Sequence, residues 1–471
     1  MWALGWLACD DPTGPTVPSD AVLSPHSGST RVLDSGAHTG TPGTAPPEPP
    51  SQLTATCAAT DNALRFRCAV EVEPPQAVQV TFQRADAAGA MRLATSPGPE
   101  GTHDVGLYFL APETRYTYTA TATAWPDTLP ATGEFTTGAV PAAWAASLTV
   151  TGTSSTPYVG GDLPCGTGAT AAVFDTATGE LVWYEVAAPE GNFGGMEMVR
   201  FTAEHTVLGM TQTQVMELDL MGADLRRWSE GFEYREDLHH DLFRWDDKYY
   251  LLFRRGNPQL DGFLVLDAGG NLLAEWYAGD YLDLPPTASG DYMHTNTITV
   301  DAGVVTLSSF QQSTVFQVDG DPSSATFGAP GWFLAGSSRG SLGNDFALDW
   351  SLVGGPNLFR HQHDTEILAD GRLLMLDNDA GRALIVRLDT GAGTATVEEA
   401  YPASRPFCGP QGTAGRTATG NILVDCSGFS LLEYEPNTSV PVWRASLACS
   451  QAQAPTGGVP GTSRWYPLDD W

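Results

Sequence analysis

Phe263-Leu-Val-Leu-Asp267-Ala-Gly-Gly-Asn271-Leu-Leu-Ala-Glu-Trp276 is an apolar strand, an acid, a Gly/Asn turn and a second strand ending in tryptophan. The chain writes this unit six times. Ala172-Val-Phe-Asp175 with Gly-Glu-Leu-Val-Trp183, and Val215-Met-Glu-Leu-Asp219 with Leu-Arg-Arg-Trp228, come before it. Val315-Phe-Gln-Val-Asp319 with Trp332, Leu384-Ile-Val-Arg-Leu-Asp389 with Val397, and Leu431-Leu-Glu-Tyr-Glu435 with Trp443 come after. The acids recur about every 44 to 52 residues, with one interval of about 70, the length of a four-stranded propeller blade. Six hairpins predict an all-β fold, a six-bladed β-propeller over residues 145–471, with the tryptophans in its core.

A second strand pair precedes each hairpin, and there the histidines gather. Five of the nine lie in His239-His240-Asp241, His294-Thr295-Asn296 and His361-Gln362-His363-Asp364. His240-Asp-Leu-Phe-Arg-Trp and His363-Asp-Thr-Glu-Ile-Leu share a polar start and an apolar pair, whereas the matching segments around Glu197 and Gly412 lack the histidine. Equivalent positions on successive blades face one axis, so His240, His294 and His363 are expected to converge in a central funnel. Imidazole suits nucleophilic and proton-transfer work near neutral pH. His239 and His361 are expected on the other face or the rim, and Asp241 and Asp364 are expected to orient backbone or imidazole.

The N-terminal part reads differently. Residues 10–50 are a Ser/Thr/Pro/Gly tract without apolar period, expected to be a disordered tether. Residues 51–139 alternate, as in Ala63-Leu-Arg-Phe-Arg-Cys-Ala-Val-Glu-Val and Tyr116-Thr-Tyr-Thr-Ala-Thr-Ala-Thr-Ala-Trp125, and predict an N-terminal β-sandwich. Leu110-Ala-Pro-Glu-Thr-Arg-Tyr-Thr-Tyr and Gly133-Glu-Phe-Thr-Thr-Gly138 resemble a fibronectin type III domain. Residues 1–9 end in Trp6-Leu7-Ala8-Cys9, which resembles a bacterial lipoprotein signal with Trp6 in place of a branched aliphatic and no basic start. Lipidation of Cys9 would attach the chain to a membrane. No run of 18 apolar residues occurs elsewhere, so the domains themselves are expected to be soluble.

Seven cysteines point to export into an oxidising compartment, the periplasm or the cell surface. Cys57 with Cys68 is the preferred pair; Cys408 with Cys426 fits within one blade, and Cys165 with Cys449 would join the first blade to the last. A net charge of -32 with no basic stripe argues against nucleic acid. A site for an anion must then be locally positive, which gives clustered His and Arg more weight.

The ordered set His239-His-Asp, Met293-His-Thr-Asn-Thr-Ile and Gln362-His-Asp-Thr-Glu-Ile-Leu-Ala-Asp-Gly-Arg-Leu-Leu-Met-Leu-Asp-Asn378, then Gly381-Arg382, resembles the bacterial arylsulfate sulfotransferase family over roughly residues 145 to 450. The resemblance implies a six-bladed propeller with an added β-domain. It also implies transfer of a sulfuryl group from a phenolic sulfate to another phenol, without cofactor or metal, through a sulfated histidine. The position matching that nucleophile is His363. His240 and His294 match the histidines that bind sulfate and assist proton transfer, and Asn296, Arg382 and Arg360 are expected at the substrate. The partners implied are small molecules, an aryl sulfate and a phenol.

The chain departs from the family at Ser308-Ser309-Phe310-Gln311-Gln312-Ser313, where family members commonly carry arginine in place of Phe310. Losing a charged donor there would cost several kcal/mol of transition-state stabilisation, about a hundredfold or more in rate. Arg360, Arg382 and Arg416 are the candidates to replace it. Two other classes stand beside this reading: a noncatalytic tethered propeller that binds an anionic or aromatic ligand or a protein, favoured by Phe310, and a metal-dependent hydrolase built on the His and Asp residues.

Overall fold

The computed structural model describes residues 48–86, 90–163, 165, 170–186, 198–210, 214–228, 237–285, 287–336, 342–354, 358–409, 411–426, 430–449 and 464–469. Cys9, the tether up to residue 47 and Glu197 lie outside the described residues. Everything below belongs to the compact unit Glu48–Trp471.

In Phe66–Glu73 every second side chain is buried, as in a sheet with one wet face. A sheet of Gln52–Ala59, Phe66–Glu73 and Thr102–Leu107 faces a second, ordered Arg92–Ser96, Val78–Arg84, Arg115–Ala122 and Ala131–Thr136. Their inner faces share Phe66, Val70, Val80, Tyr116 and Phe135, which makes a β-sandwich. Cys57 lies directly opposite Cys68 on adjoining strands, and the two are bonded. Arg65 ties this sandwich to the next sheets: it meets Glu185 at 2.6 Å and donates to the Tyr184 carbonyl at 2.7 Å.

Leu260–Leu266 is buried at every residue, because a blade packs against neighbours on both faces. Among the described residues six sheets form the ring, each an antiparallel meander running from an inner to an outer strand. The six hairpins quoted above are the third and fourth strands of these blades. Their recurring acid closes the turn. Asp175, Asp219, Asp267 and Asp389 each accept N–H groups from the two to four residues that follow. The tryptophans join blades: Trp183 donates to Leu220 O at 2.8 Å, Trp276 to Gly328 O at 3.2 Å and Trp443 to Thr176 O at 3.0 Å, each in the following blade. The long sequence interval contains Ala347–Asp349, a fifth strand added parallel to Thr394–Pro402.

The two ends of the propeller segment close the ring. Trp465–Leu468 is the inner strand of the first blade beside Tyr158–Asp162, and Ala146–Gly152 is the outer strand of the last beside Trp443–Cys449. Close approach of the closing strand needs glycine: a Cβ on Gly161 would stand 2.0 Å from Arg464 O. Cys165–Cys449 and Cys408–Cys426 are bonded as well.

Candidate active site

Three inner strands, Asp237–Trp245, Thr295–Asp301 and His363–Ile367, adjoin one another around the axis. Each breaks register near its start, between Leu238 and Leu242, between Thr295 and Thr297, and between His363 and Glu366. Such bulges re-aim side chains. The backbone there turns left-handed at His240 (φ 63°), His294 (φ 49°), His361 (φ 53°) and Asp364 (φ 49°). Left-handed residues other than glycine cost of order 1 kcal/mol or more each, a strain that collects at functional sites.

The bulges bring all five histidines into one cluster. His240 and His294 face each other with their Nε2 atoms 2.8 Å apart. The His239 ring packs 4.9 Å from that of His240, and His239 Nε2 lies 3.2 Å from Asp261 Oδ1. Phe310 joins the two halves of the cluster: its ring centre is 5.3 Å from His294, 5.3 Å from His363 and 4.4 Å from His361, which stacks on it. His239 and His361 therefore belong to the cluster, a correction to the expectation of another face or the rim. A strand's alternation breaks down at a bulge, which is why simple counting misplaces them.

The tautomer of His363 follows from its neighbours. Asn378 Nδ2 donates to Gly409 O at 2.8 Å and Gln411 O at 2.7 Å, which leaves Oδ1 facing His363 Nδ1 at 3.1 Å. Nδ1 must then carry the proton, and Nε2 holds the lone pair. The Gln411 amide donates to that lone pair across a long 3.3 Å. Burial, helped by the charge of Arg464, holds the His363 imidazole down to about 3, so it is neutral at physiological pH.

Proton placement in the other pair is equally constrained. Asp291 Oδ2 is 2.5 Å from His294 Nδ1, and that hydrogen bond holds the Asp291 carboxyl below its ordinary range. His294 Nδ1 is therefore the donor. Burial, with His239 and His294 beside it, holds His240 well below the ordinary imidazole range. One proton must sit between the two Nε2 atoms, and it can be given up or taken back.

Beneath the histidines lies an ionic layer. Asp241, fully buried, accepts from Arg200 at 3.0 and 2.7 Å and from the amides of Leu242 and Ile298. Asp364 accepts from Tyr466 at 3.2 Å, and burial raises its carboxyl. Arg200, Asp364 and Tyr466 also line a cavity of about 1050 Å³ at the far ends of the inner strands, together with Phe243, Glu366 and Arg416. None of the three central histidines lines that cavity.

The expected substrate residues are placed as follows. Asn296 is buried and donates to Gln362 O at 2.8 Å, tying two histidine strands together. Arg382 is paired with Asp377 at 3.0 Å, Arg360 with Asp379 at 3.4 Å and Arg416 with Asp370 at 3.3 Å. Asp291, Asn378, Gln411, Arg200 and Arg464 are the partners that sequence reading did not assign. Asp291, three residues before His294, was the most findable of them. Among the described residues no three of His, Cys, Asp and Glu are arranged to hold a metal ion.

Residues 166–388 match the family model Arylsulfotransferase (ASST). None of the curated proteins compared matches. Among solved structures, a protein of unknown function from Bacteroides caccae is 13% identical with a TM-score of 0.44, aligned over 67% of this chain and 99% of that one. A catalytically inactive virginiamycin B lyase from Staphylococcus aureus, solved with quinupristin, is 9% identical with a TM-score of 0.38 over 64% of this chain and 99% of that one.

Proposed function

We propose that the protein transfers a sulfuryl group from an aryl sulfate ester to a phenol through a sulfated His363. The observation that carries this reading is the tautomer of His363, neutral, protonated on Nδ1 and with an Nε2 lone pair that accepts only the long 3.3 Å bond from the Gln411 backbone N–H. Nε2 attacks sulfur, the N–S bond forms and the bond from sulfur to the aryl oxygen breaks. The departing phenolate takes the proton shared by His240 and His294 from the pair in its cationic form, opposite the Asp291 carboxylate, and leaves both imidazoles neutral. In the second half an acceptor phenol returns a proton to that pair, its oxygen attacks sulfur, and the N–S bond breaks. Asp291 holds His294 in place for both transfers, and Asn378 keeps the Nδ1 proton hydrogen-bonded throughout. The family-model match over residues 166–388 supports aryl sulfate and phenol as the substrate classes.

Incubation with 4-nitrophenyl sulfate alone is expected to release one equivalent of nitrophenol and leave about 80 Da on the peptide containing His363. His363→Ala should lose both signals, whereas His294→Ala and His240→Ala should slow the transfer and keep the same modified residue. Turnover without any adduct would exclude the covalent route. A second reading, noncatalytic binding of an aromatic or anionic ligand, is favoured by Phe310 among the rings and by the Gln411 amide on Nε2. A wild type inert toward aryl sulfates would select it. Export is part of the proposal, supported by the three disulfides. Labelling of intact cells with a fatty acid tests lipid attachment at Cys9.

A further inference from the structure

The cation that serves this site is not on any of the histidine strands. Arg464 immediately precedes the strand that closes the ring, with only 2% of its surface exposed. Its Nη2 donates to Asn296 O at 2.7 Å, and Nη1 lies 3.6 Å from Asp241 Oδ2 and 3.5 Å from the Met198 sulfur. Its Nε, buried, has no hydrogen-bond partner among the described residues. A guanidinium has five N–H groups, so donor capacity remains unused here while the buried charge is balanced by Asp241. That charge stands where the three strands meet. Asp241 adjoins His240, Asn296 lies two residues after His294, and the Asn296 amide reaches the Gln362 carbonyl next to His363.

We propose that Arg464 is a positioning residue for the histidine cluster, bracing two of the bulged strands directly and the His363 strand through Asn296, and supplying the positive field that a sulfuryl anion meets at His363. The inference rests on the sulfuryl-transfer reading for its chemistry and on the hydrogen bonds just given for its geometry. A fixed charge under a dry site acts strongly, because no water screens it and none must reorganise. Besides Arg464, His294 and His240 are titratable side chains whose charge is coupled to that of His363, while Phe310 and Asn378 face it as uncharged groups. Removing Arg464 should therefore let His363 take a proton at higher pH, and leaving Asp241 with Arg200 alone pushes the same way.

Arg464→Gln, which can keep the bond to Asn296 O, and Arg464→Lys, which keeps the charge, are the variants to make. Thermal unfolding selects the folded ones. In folded Arg464→Gln, the His363 titration followed by imidazole NMR should move up by about one pH unit or more, and single-turnover release from 4-nitrophenyl sulfate should fall about tenfold or more. Arg464→Lys should hold the titration near wild type while losing rate through the broken alignment. An unchanged His363 titration in folded Arg464→Gln would overturn the inference even if the wild type is active. A wild type that forms no adduct, with the titration shift present, would overturn the sulfuryl-transfer reading and leave the placement of Arg464 standing. If Arg464→Gln does not fold, Asp241→Asn gives the converse test: the His363 titration should fall, and an unchanged or raised value would count against the field.

Discussion

In the proposed transfer, the tautomer of His363 is set by one amide side chain. Because Asn378 spends both N–H donors on the 409–411 segment, only its oxygen remains for Nδ1. Asn378→Ala removes that constraint, and the half-reaction with 4-nitrophenyl sulfate is expected to slow by about a hundredfold or more, as for other histidines that lose their orienting partner. Stopped-flow release of nitrophenol measures it. Protons make a second prediction at this scale. His363 holds off protonation down to about 3, whereas in the unfolded chain it titrates near an ordinary histidine value, roughly 6.5. Between those limits the unfolded chain binds a proton that the folded one does not, so stability falls as the pH drops through the window. The slope contributed is up to about 1.4 kcal/mol per pH unit. Urea unfolding of His363→Gln between about pH 4.5 and 7 should show a shallower dependence than wild type.

At the scale of elements, two devices hold the site. The first is the segment that carries Gln411 to His363. Cys408 anchors it, by its bond to Cys426 and by its amide donating to Asn378 O at 2.9 Å. Loss of this 18-residue link costs about 3 kcal/mol on the chain-entropy model. The Cys408→Ala/Cys426→Ala variant is expected to lose adduct formation as well as stability. The Cys57→Ala/Cys68→Ala variant, in the distant sandwich, should lose stability alone, and parallel activity and melting measurements separate the two. The second device is the seat of the closing strand. Gly161→Ala would drive a Cβ into Arg464 O, a clash expected to destabilise the ring by about 1–3 kcal/mol and read as a lower melting temperature.

Over the whole molecule, charge and closure govern. A net charge of -32 repels an anionic donor before it reaches the cluster. Screening should help: kcat/KM for 4-nitrophenyl sulfate is expected to rise as salt is increased from about 0.02 to 0.2 M, the reverse of an attractive site. The Cys165–Cys449 bond spans 284 residues and joins the first blade to the last, so it constrains the unfolded chain more than the other two do, stabilising by about 5–6 kcal/mol on the same model. Its double alanine variant should show the largest fall in melting temperature of the three pairs.

The sequence alone determined what repeats. A hairpin with an acid at its turn and tryptophan at its end is a local object, and its spacing counts blades without reference to anything distant. Its Asx turns and Trp contacts recur because each blade solves the same packing problem. The histidine motifs were legible for the same reason, as polar starts on otherwise apolar strands. What only the tertiary structure decided is everything that crosses between blades. The His240–His294 pair, the ring of Phe310 against three histidines and the arrival of Arg464 beside Asn296 join residues separated by up to 168 positions. No local pattern encodes such contacts, because they depend on ring closure and on bulges that turn a strand's alternation out of phase. Sequence reading sought the missing cation on neighbouring strands, at Arg360, Arg382 and Arg416. Those arginines are held by Asp379, Asp377 and Asp370, and the buried cation comes instead from the residue just before the strand that completes the circle.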